Sequence, residues 1–337
     1  MKHKIFNFVL LFVFTASLFI TSCEKEPDRI EWPLSAEIFF SVKEKQVAFT
    51  ALTHSATQWL WDFGDGITST EQNPVHVYDE GGYYLATLTA TGADGGTVSK
   101  EVNLAISLTP YALLVGNHTK PGYEGKTWKL APGHSVNDKL VNSDAGLSLM
   151  DPDIEYLPTG AFDLYLGLGE AYNDEFTFYH DGRYRHDTKD GSSFGGIVYA
   201  LVMQQFGLTQ ITKTGGAAVF GADAFALSTF TPDNNATFVL KENDDFTIPT
   251  IPNFATAAVP PGIPVVTYPG VMTMQFPGSN EFIGVMDFHT KVIVQEITDE
   301  SMRLVMFLTM SPDAIVSQDP LIALSTTAMI LTFEVVN

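Results

Sequence analysis

Cysteine is all but missing: Cys23 is the single thiol in 337 residues, so no intramolecular disulfide can form. Positive charge is scarce. Lysine and arginine number 18 against 39 acids, for a net charge of −21. A surface of that sign has no basic patch to hold phosphates, which excludes nucleic acid as a partner. Catalytic signatures are absent too: there is no nucleophile elbow, no H-E-x-x-H pair, no Walker loop and no dinucleotide fingerprint. No long amphipathic helix stands out, and the only long apolar run is at the very start of the chain.

Aromatic and turn-forming residues are abundant, with 25 Phe, 12 Tyr, 4 Trp, 27 Gly and 18 Pro. Hydrophobic residues make up 45% and charged residues only 17%, the balance of a packed protein and not a disordered one. β-Branched and aromatic stretches broken by turn formers predict an all-β chain. The length is enough for two domains.

Lys2 and Lys4 precede an apolar run, Ile5 to Ile20, that ends in Ile20-Thr21-Ser22-Cys23. A basic start, a short apolar core and small residues before a cut make a secretory signal. Small residues directly before Cys resemble a bacterial lipobox, which implies that Cys23 is the lipidated mature N-terminus. An ordinary signal cut near Ser22 is the plainer alternative. Glu24-Lys25-Glu26-Pro27-Asp28 resembles the acidic export signal of Bacteroidota surface lipoproteins and implies a cell-surface protein anchored in the outer membrane. Residues 1–22 are then the signal and 23–34 a tether with Pro27 and Pro33.

From Ser35 the period becomes two. Ala36, Ile38 and Phe40 share one phase, and Val47, Phe49 and Ala51 another. Gln58-Trp59-Leu60-Trp61-Asp62-Phe63 runs into Gly64-Asp65-Gly66, a strand that must turn. Trp59 and Trp61 fall on one face, at least one of them in the core. Asn73-Pro74-Val75-His76-Val77-Tyr78, Gly82-Tyr83-Tyr84 and the hairpin turn Asp94-Gly95-Gly96 follow. This order resembles a PKD domain over residues 35–107. The resemblance implies an Ig-like β-sandwich of about seven strands that serves as a spacer or interaction module without catalysis. Asp62 and Asp65 either share a hard cation or bond the N–H groups of their own turn.

Residues 108–123 read as a junction, and 124–337 as a larger β-sandwich or jelly-roll-like domain, with a lipocalin-like barrel as the alternative. Asp174 to Arg185 is a hairpin turning at Asp181-Gly182. Further strands are expected at Thr237–Leu240, Phe282–Phe288, Lys291–Ile297, Met302–Leu308 and Ala328–Val336, with a turn at Thr298–Ser301. Ile197–Phe206 reads as a helix or a buried strand. Residues 213–232 and 249–280, rich in Gly, Ala and Pro, read as long loops. The strings G-K-T-W-K-L, N-D-E-F-T-F-x-x-D-G-x-Y-x-x-D, N-E-F-I-G and I-T-D-E-S-M-R-L resemble C-terminal modules of SusE/SusF-like surface glycan-binding proteins. That resemblance implies a polysaccharide or oligosaccharide ligand and an outer-membrane uptake complex as partner. Where such modules carry a Trp pair before D-E-F-T-F, this chain has Tyr156, Phe162, Tyr165 and Tyr172.

Sugar binding needs flat aromatic faces beside planar polar groups. Tyr165, Tyr172, Tyr184, Tyr199 and Tyr268 are the candidates, and half-buried packing is the plain reading of each. Asp151, Asp153 and Glu155 alternate, either as oxygen donors to Ca²⁺ or as a solvated acidic loop; no other cofactor is indicated. His180 and His186 flank the Asp181 turn, as a metal site with Asp187 or, more simply, as exposed hairpin residues. Glu170, Asp174, Glu175, Asp187 and Asp190 supply the carboxylates a glycosidase would need, but no glycosidase signature accompanies them. The first expectation is a non-catalytic surface lipoprotein that binds a glycan. The second is a structural or adhesive protein with the PKD-like module as spacer, and the third a divergent hydrolase.

Overall fold

The computed structural model describes residues 32–251 and 263–336. The signal, Cys23 and most of the tether lie outside the described residues. The chain divides into two compact units: residues up to Val77 with Ala86–Val102, and Tyr78–Leu85 with Asn103 onward. Among the described residues no helix is long and apolar enough to cross a membrane. The protein is all-β, with strands in several sheets and few, short helices.

The N-terminal strands are β1 (Ser35–Lys43), β2 (Gln46–His54), β3 (Ala56–Asp62), β4 (Thr68–Ser69), β5 (Val75–Val77), β6 (Gly82–Gly92) and β7 (Thr97–Ile106). They form two sheets, ordered β1-β2-β5 and β4-β3-β6-β7. The period of two places Val47, Phe49 and Ala51 of β2 inside. Phe49 meets Trp61 of the other sheet at 4.9 Å between ring centroids and Phe63 at 5.3 Å, contacts that hold the sheets together. Trp61 is the core tryptophan. Trp59, half-buried, donates Nε1–H to Thr53 Oγ1 at 3.3 Å. The two aspartates bond their turn: Asp62 Oδ1 accepts from Gly64 N at 2.9 Å and Asp65 Oδ1 from Ile67 N at 3.0 Å.

The remaining strands are β8 (Lys126–Leu130), β9 (Lys139–Asn142), β10 (Glu175–Phe178), β11 (Tyr184–Asp187), β12 (Ser192–Gly196), β13 (Ile211–Gly215), β14 (Phe225–Thr229), β15 (Val239–Pro249), β16 (Val265–Gln275), β17 (Val292–Ile297), β18 (Ser301–Leu308), β19 (Ile315–Gln318), β20 (Leu321–Ala323) and β21 (Thr327–Val335). Nine of them make one antiparallel sheet, ordered β11-β10-β8-β21-β18-β17-β16-β15 with β9 also on β21. A second sheet is β12-β14-β13. Helices are α1 (Pro110–Val115), α2 (Ala161–Leu164), α3 (Ile197–Gln205) and α4 (Ala217–Phe220). Thr109 caps α1 and Pro110 starts it; the carbonyl of Leu114 then accepts from Trp128 Nε1 at 3.0 Å.

The centre of the large sheet is buried on both faces. Along β18, Leu304, Met306 and Leu308 enter a core shared with Trp128, Phe162, Phe176, Phe194 and Phe225. Val305 and Phe307, pointing the other way, meet Phe246, Ile248 and Tyr268 of the β15–β16 hairpin. A strand buried on both faces reads as a continuous apolar run, as Leu304 to Leu308 does.

Four expectations are corrected. The loop expected over 249–280 contains β16, whose Tyr268-Pro269-Gly270 sits at a bulge. The register slips there between Asp244/Val271 and Phe246/Tyr268, Gly270 takes φ of 64°, and Asp245 Oδ1 receives Gly270 N at 3.0 Å. Proline is tolerated because the ladder already skips that position. The loop expected over 213–232 holds part of β13, α4 and β14. Conversely, Phe282–Phe288 is no strand: Gly284 turns it with φ of 75°, and only Met286 bridges a strand, at Gly195. Nor does the large sheet close into a barrel among the described residues, since its path runs from β11 to a different end, β15.

Candidate functional site

Two glycines at the end of β12 set the position of the site. A Cβ on Gly195 would fall 2.5 Å from Met286 O, and one on Gly196 would fall 2.6 Å from Asp287 Oδ2. Their bare backbone lets the 282–288 segment press in, with Met286 N donating to Phe194 O at 2.8 Å and Gly196 N to Met286 O at 3.1 Å. The chain then enters α3, which carries Tyr199 and Met203 alongside Phe288.

Between α3, the end of β14 and the 278–290 segment lies a cleft of about 770 Å³. Its aromatic faces are Tyr199, Phe230 and Phe288, and its polar groups include Thr209, Thr231, Asp233, Asn280 and Glu281. Tyr199 and Phe288 meet edge to face at 5.0 Å and 71°. Phe230 is held edge-on against Phe282 at 5.0 Å. Leu208 stands at the rim, 72% exposed.

Two carboxyls in the cleft wall are fully engaged. Glu281 Oε1 accepts from Asp233 N at 2.5 Å, and Oε2 lies 3.3 Å from His186 Nδ1. His186 Nε2 is 3.2 Å from Asp174 Oδ2. All three side chains are buried. Burial alone would lower the His186 pKa, but the hydrogen bonds and charges of Asp174 and Glu281 outweigh it, and the imidazole titrates above its usual value. Asp287 receives Phe288 N at 2.8 Å, and Thr309 N at 3.2 Å from each oxygen. Burial overcomes these donors and pushes its pKa up to about 8, which favours the neutral carboxyl. His289 beside it is pushed down to about 4 by burial.

The five tyrosines singled out by sequence do not come together. Tyr199 lines the cleft. Tyr165 is exposed at the end of α2. Tyr172 is half-buried, its hydroxyl accepting from Phe162 N at 3.1 Å and lying 2.8 Å from His134 Nε2. Tyr184 and Tyr268 are buried, their hydroxyls given to Phe282 O and to Asp144 O. Asp151, Asp153 and Glu155 are exposed, and Asp151 Oδ1 accepts from Asp153 N at 2.9 Å. Among the described residues no group of three or more His, Cys, Asp or Glu is arranged to hold a metal ion.

The exposed-hairpin reading of His186 is corrected, since it is buried between two carboxylates. Asp187 pairs instead with Lys189 at 3.0 Å. Of the glycosidase candidates, Glu175 and Asp187 do come together, opposite each other in the β10–β11 register and both paired with Lys189; Glu170 pairs with Lys213, Asp174 with His186, and Asp190 Oδ1 takes Ser192 N. Sequence reasoning missed Phe230, Asp233, Glu281 and Asp287. Only Glu281 had a signal, its place inside N-E-F-I-G.

Residues 41–106 match the family model of the PKD domain, and the chain carries one there. Collagenase ColA of Bacillus cereus is 42% identical over 87 residues, which is 26% of this chain and 8% of the collagenase. The chain spans less than a tenth of the length of the curated relatives it matches. The PKD1 domain of Vibrio anguillarum Epp aligns at 23% identity over 23% of this chain and 99% of that domain, with a TM-score of 0.23. A carbohydrate-binding module of the β-sandwich superfamily aligns over 91% of this chain and 93% of its own, at 13% identity and a TM-score of 0.23. A score that low carries no argument about the second unit.

Proposed function

We propose that the protein is a non-catalytic, lipid-anchored surface protein whose second unit binds a glycan in the Tyr199–Phe230–Phe288 cleft, with the PKD domain as spacer. One observation carries the reading: three aromatic rings and a set of short polar side chains line one cleft of about 770 Å³. Flat apolar faces beside hydroxyls, amides and carboxylates are the pairing that sugar rings require. The carboxyls themselves support the non-catalytic part. Glu281 is tied to His186 and Asp233 N, so it is not free to act as the ionised partner that a glycosidase pair needs beside its acid. Service to an outer-membrane uptake complex belongs to the same proposal, on the resemblance of residues 124–337 to surface glycan-binding modules.

Affinity electrophoresis of the full chain through a panel of polysaccharides tests it. Retardation by at least one glycan is expected, with Tyr199→Ala and Phe230→Ala each weakening it by roughly tenfold, since one aromatic contact is worth about 0.5–1.5 kcal/mol beyond its area. Migration unaffected by every glycan favours the structural or adhesive alternative. Reducing-sugar release from the same panel, if it occurs, overturns the non-catalytic part.

A further inference from the structure

The chain holds only four arginines, and two of them, Arg183 and Arg185, line one second cleft of about 620 Å³ together with His118, Tyr123, Tyr179 and His180. It lies where the β10–β11 turn meets the stretch after α1. Arg183 is fixed in place. Its guanidinium lies over the Tyr179 ring at 4.5 Å, and its Nε donates to Asp181 Oδ2 at 2.7 Å. Among the described residues its Nη groups meet no acceptor. Arg185 follows two residues on, in the same strand phase, and among the described residues reaches only Thr177 Oγ1, at 3.5 Å.

The opposite wall is a pair of imidazoles. His118 and His180 stack face to face, centroids 3.5 Å apart and 2° from parallel. Tyr123 stands edge-on to His118 at 6.5 Å, and its hydroxyl oxygen accepts from His180 N at 2.9 Å. Stacked rings present a flat face, and their nitrogens lie in parallel planes, a poor arrangement for chelating a metal.

From this geometry we infer that the second cleft binds the carboxylate of a uronic acid residue, with the sugar ring resting on the imidazole and tyrosine faces. A guanidinium fork matches a planar carboxylate with two parallel hydrogen bonds, and a guanidinium already held by Asp181 and Tyr179 loses little freedom on binding. Asp181 and Glu124 also line the cleft and balance the two arginines. In a chain of net charge −21, that balance makes this a place where a singly charged ring can approach. The inference deepens the glycan-binding reading and rests on it.

The test is calorimetry on the full chain with uronate trisaccharides, each as the free acid and as the methyl ester, which keeps the ring and removes the charge. The free acid of at least one is expected to bind at least tenfold more tightly than its ester. Arg183→Ala with Arg185→Ala should abolish that preference, while Arg183→Lys, which keeps charge but loses the fork, should keep only part of it. Both arginines are exposed, so the variants are expected to fold, as circular dichroism would check. Equal binding of acid and ester, acid binding indifferent to the arginines, or inorganic sulfate binding as tightly as the trisaccharide overturns the inference. If neutral glycans bind and no uronate does, the inference fails and the glycan reading stands. If no glycan binds at all, both fail.

Discussion

His186 is the residue on which the cleft wall depends. Removing it leaves Asp174 and Glu281 facing each other without a counter-charge, and an uncompensated buried charge costs about 3–5 kcal/mol. His186→Ala should lower unfolding stability by that amount in urea titration, and a loss below ~1 kcal/mol would show that the triad is not charged. The pH dependence follows from three groups. The folded pKa of His186 is raised, so its contribution is full below the ordinary imidazole range and is lost as pH rises through the folded value. Asp287, raised to about 8, acts in the same direction. Only the unfolded chain ionises between roughly 4 and 8, so stability drains across that window. His289, lowered to about 4, acts oppositely, and its contribution is lost as pH falls from the ordinary imidazole range toward 4. Stability should therefore decline between about pH 6.5 and 8, and Asp287→Asn should flatten that decline. An unchanged slope in the variant removes Asp287 as its cause. The burial of His186 was readable from the chain: Tyr184 points inward in β11, and a period of two sends His186 the same way.

At the level of elements, the local patterns describe the structure where the ladder is regular. Met302–Leu308 is β18, Ala328–Val336 is nearly β21, and the Thr298–Ser301 turn joins β17 to β18 through Thr298 N and Ser301 O at 2.8 Å. They mislead where tertiary contact overrides composition. Pro269 looks like a loop residue yet rides a bulge, and the apolar run Phe282–Phe288 looks like a strand yet is buried irregular chain folded against β12. Gly284 decides the latter. It takes φ of 75°, and a Cβ there would lie 2.6 Å from Phe333 Cζ and 2.8 Å from Met306 Sδ. Gly284→Ala should cost about 1–3 kcal/mol from overpacking alone, and more from the left-handed backbone. It should also weaken glycan retardation, because the displaced segment carries Asp287 and Phe288. A neutral result in denaturation and electrophoresis together would show that the segment can move without harm. The cleft itself was not legible from the chain, because its walls come from three separate stretches, 199–209, 229–233 and 278–290, and no local spacing links them. The PKD domain was legible because its marks are local: the strand end at Trp61–Asp62 runs straight into a turn whose backbone N–H groups are held by Asp62 and Asp65.

For the whole molecule, the proposal of a surface protein requires an anchor at a membrane. The folded surface is a poor anchor, since a chain with 39 acids and 18 bases is repelled by anionic headgroups. The described residues offer no membrane-spanning helix. The proposed anchor is Cys23, whose place after Ile20-Thr21-Ser22 suits acylation. Several acyl chains on one residue hold far more firmly than one, each buried methylene adding about 0.8 kcal/mol. The native protein should then stay with the membrane pellet through a wash in about 1 M salt, where the screening length falls to ~3 Å and electrostatic adhesion is lost. Detergent should release it. Cys23→Ser should appear in the soluble fraction without detergent and should lose palmitate labelling, while its glycan retardation stays that of the native chain, since the cleft residues lie far along the sequence in the second unit. A Cys23→Ser protein that still pellets after the salt wash would place the anchor elsewhere and remove the lipid from the proposal, leaving the glycan-binding cleft to be judged on its own test.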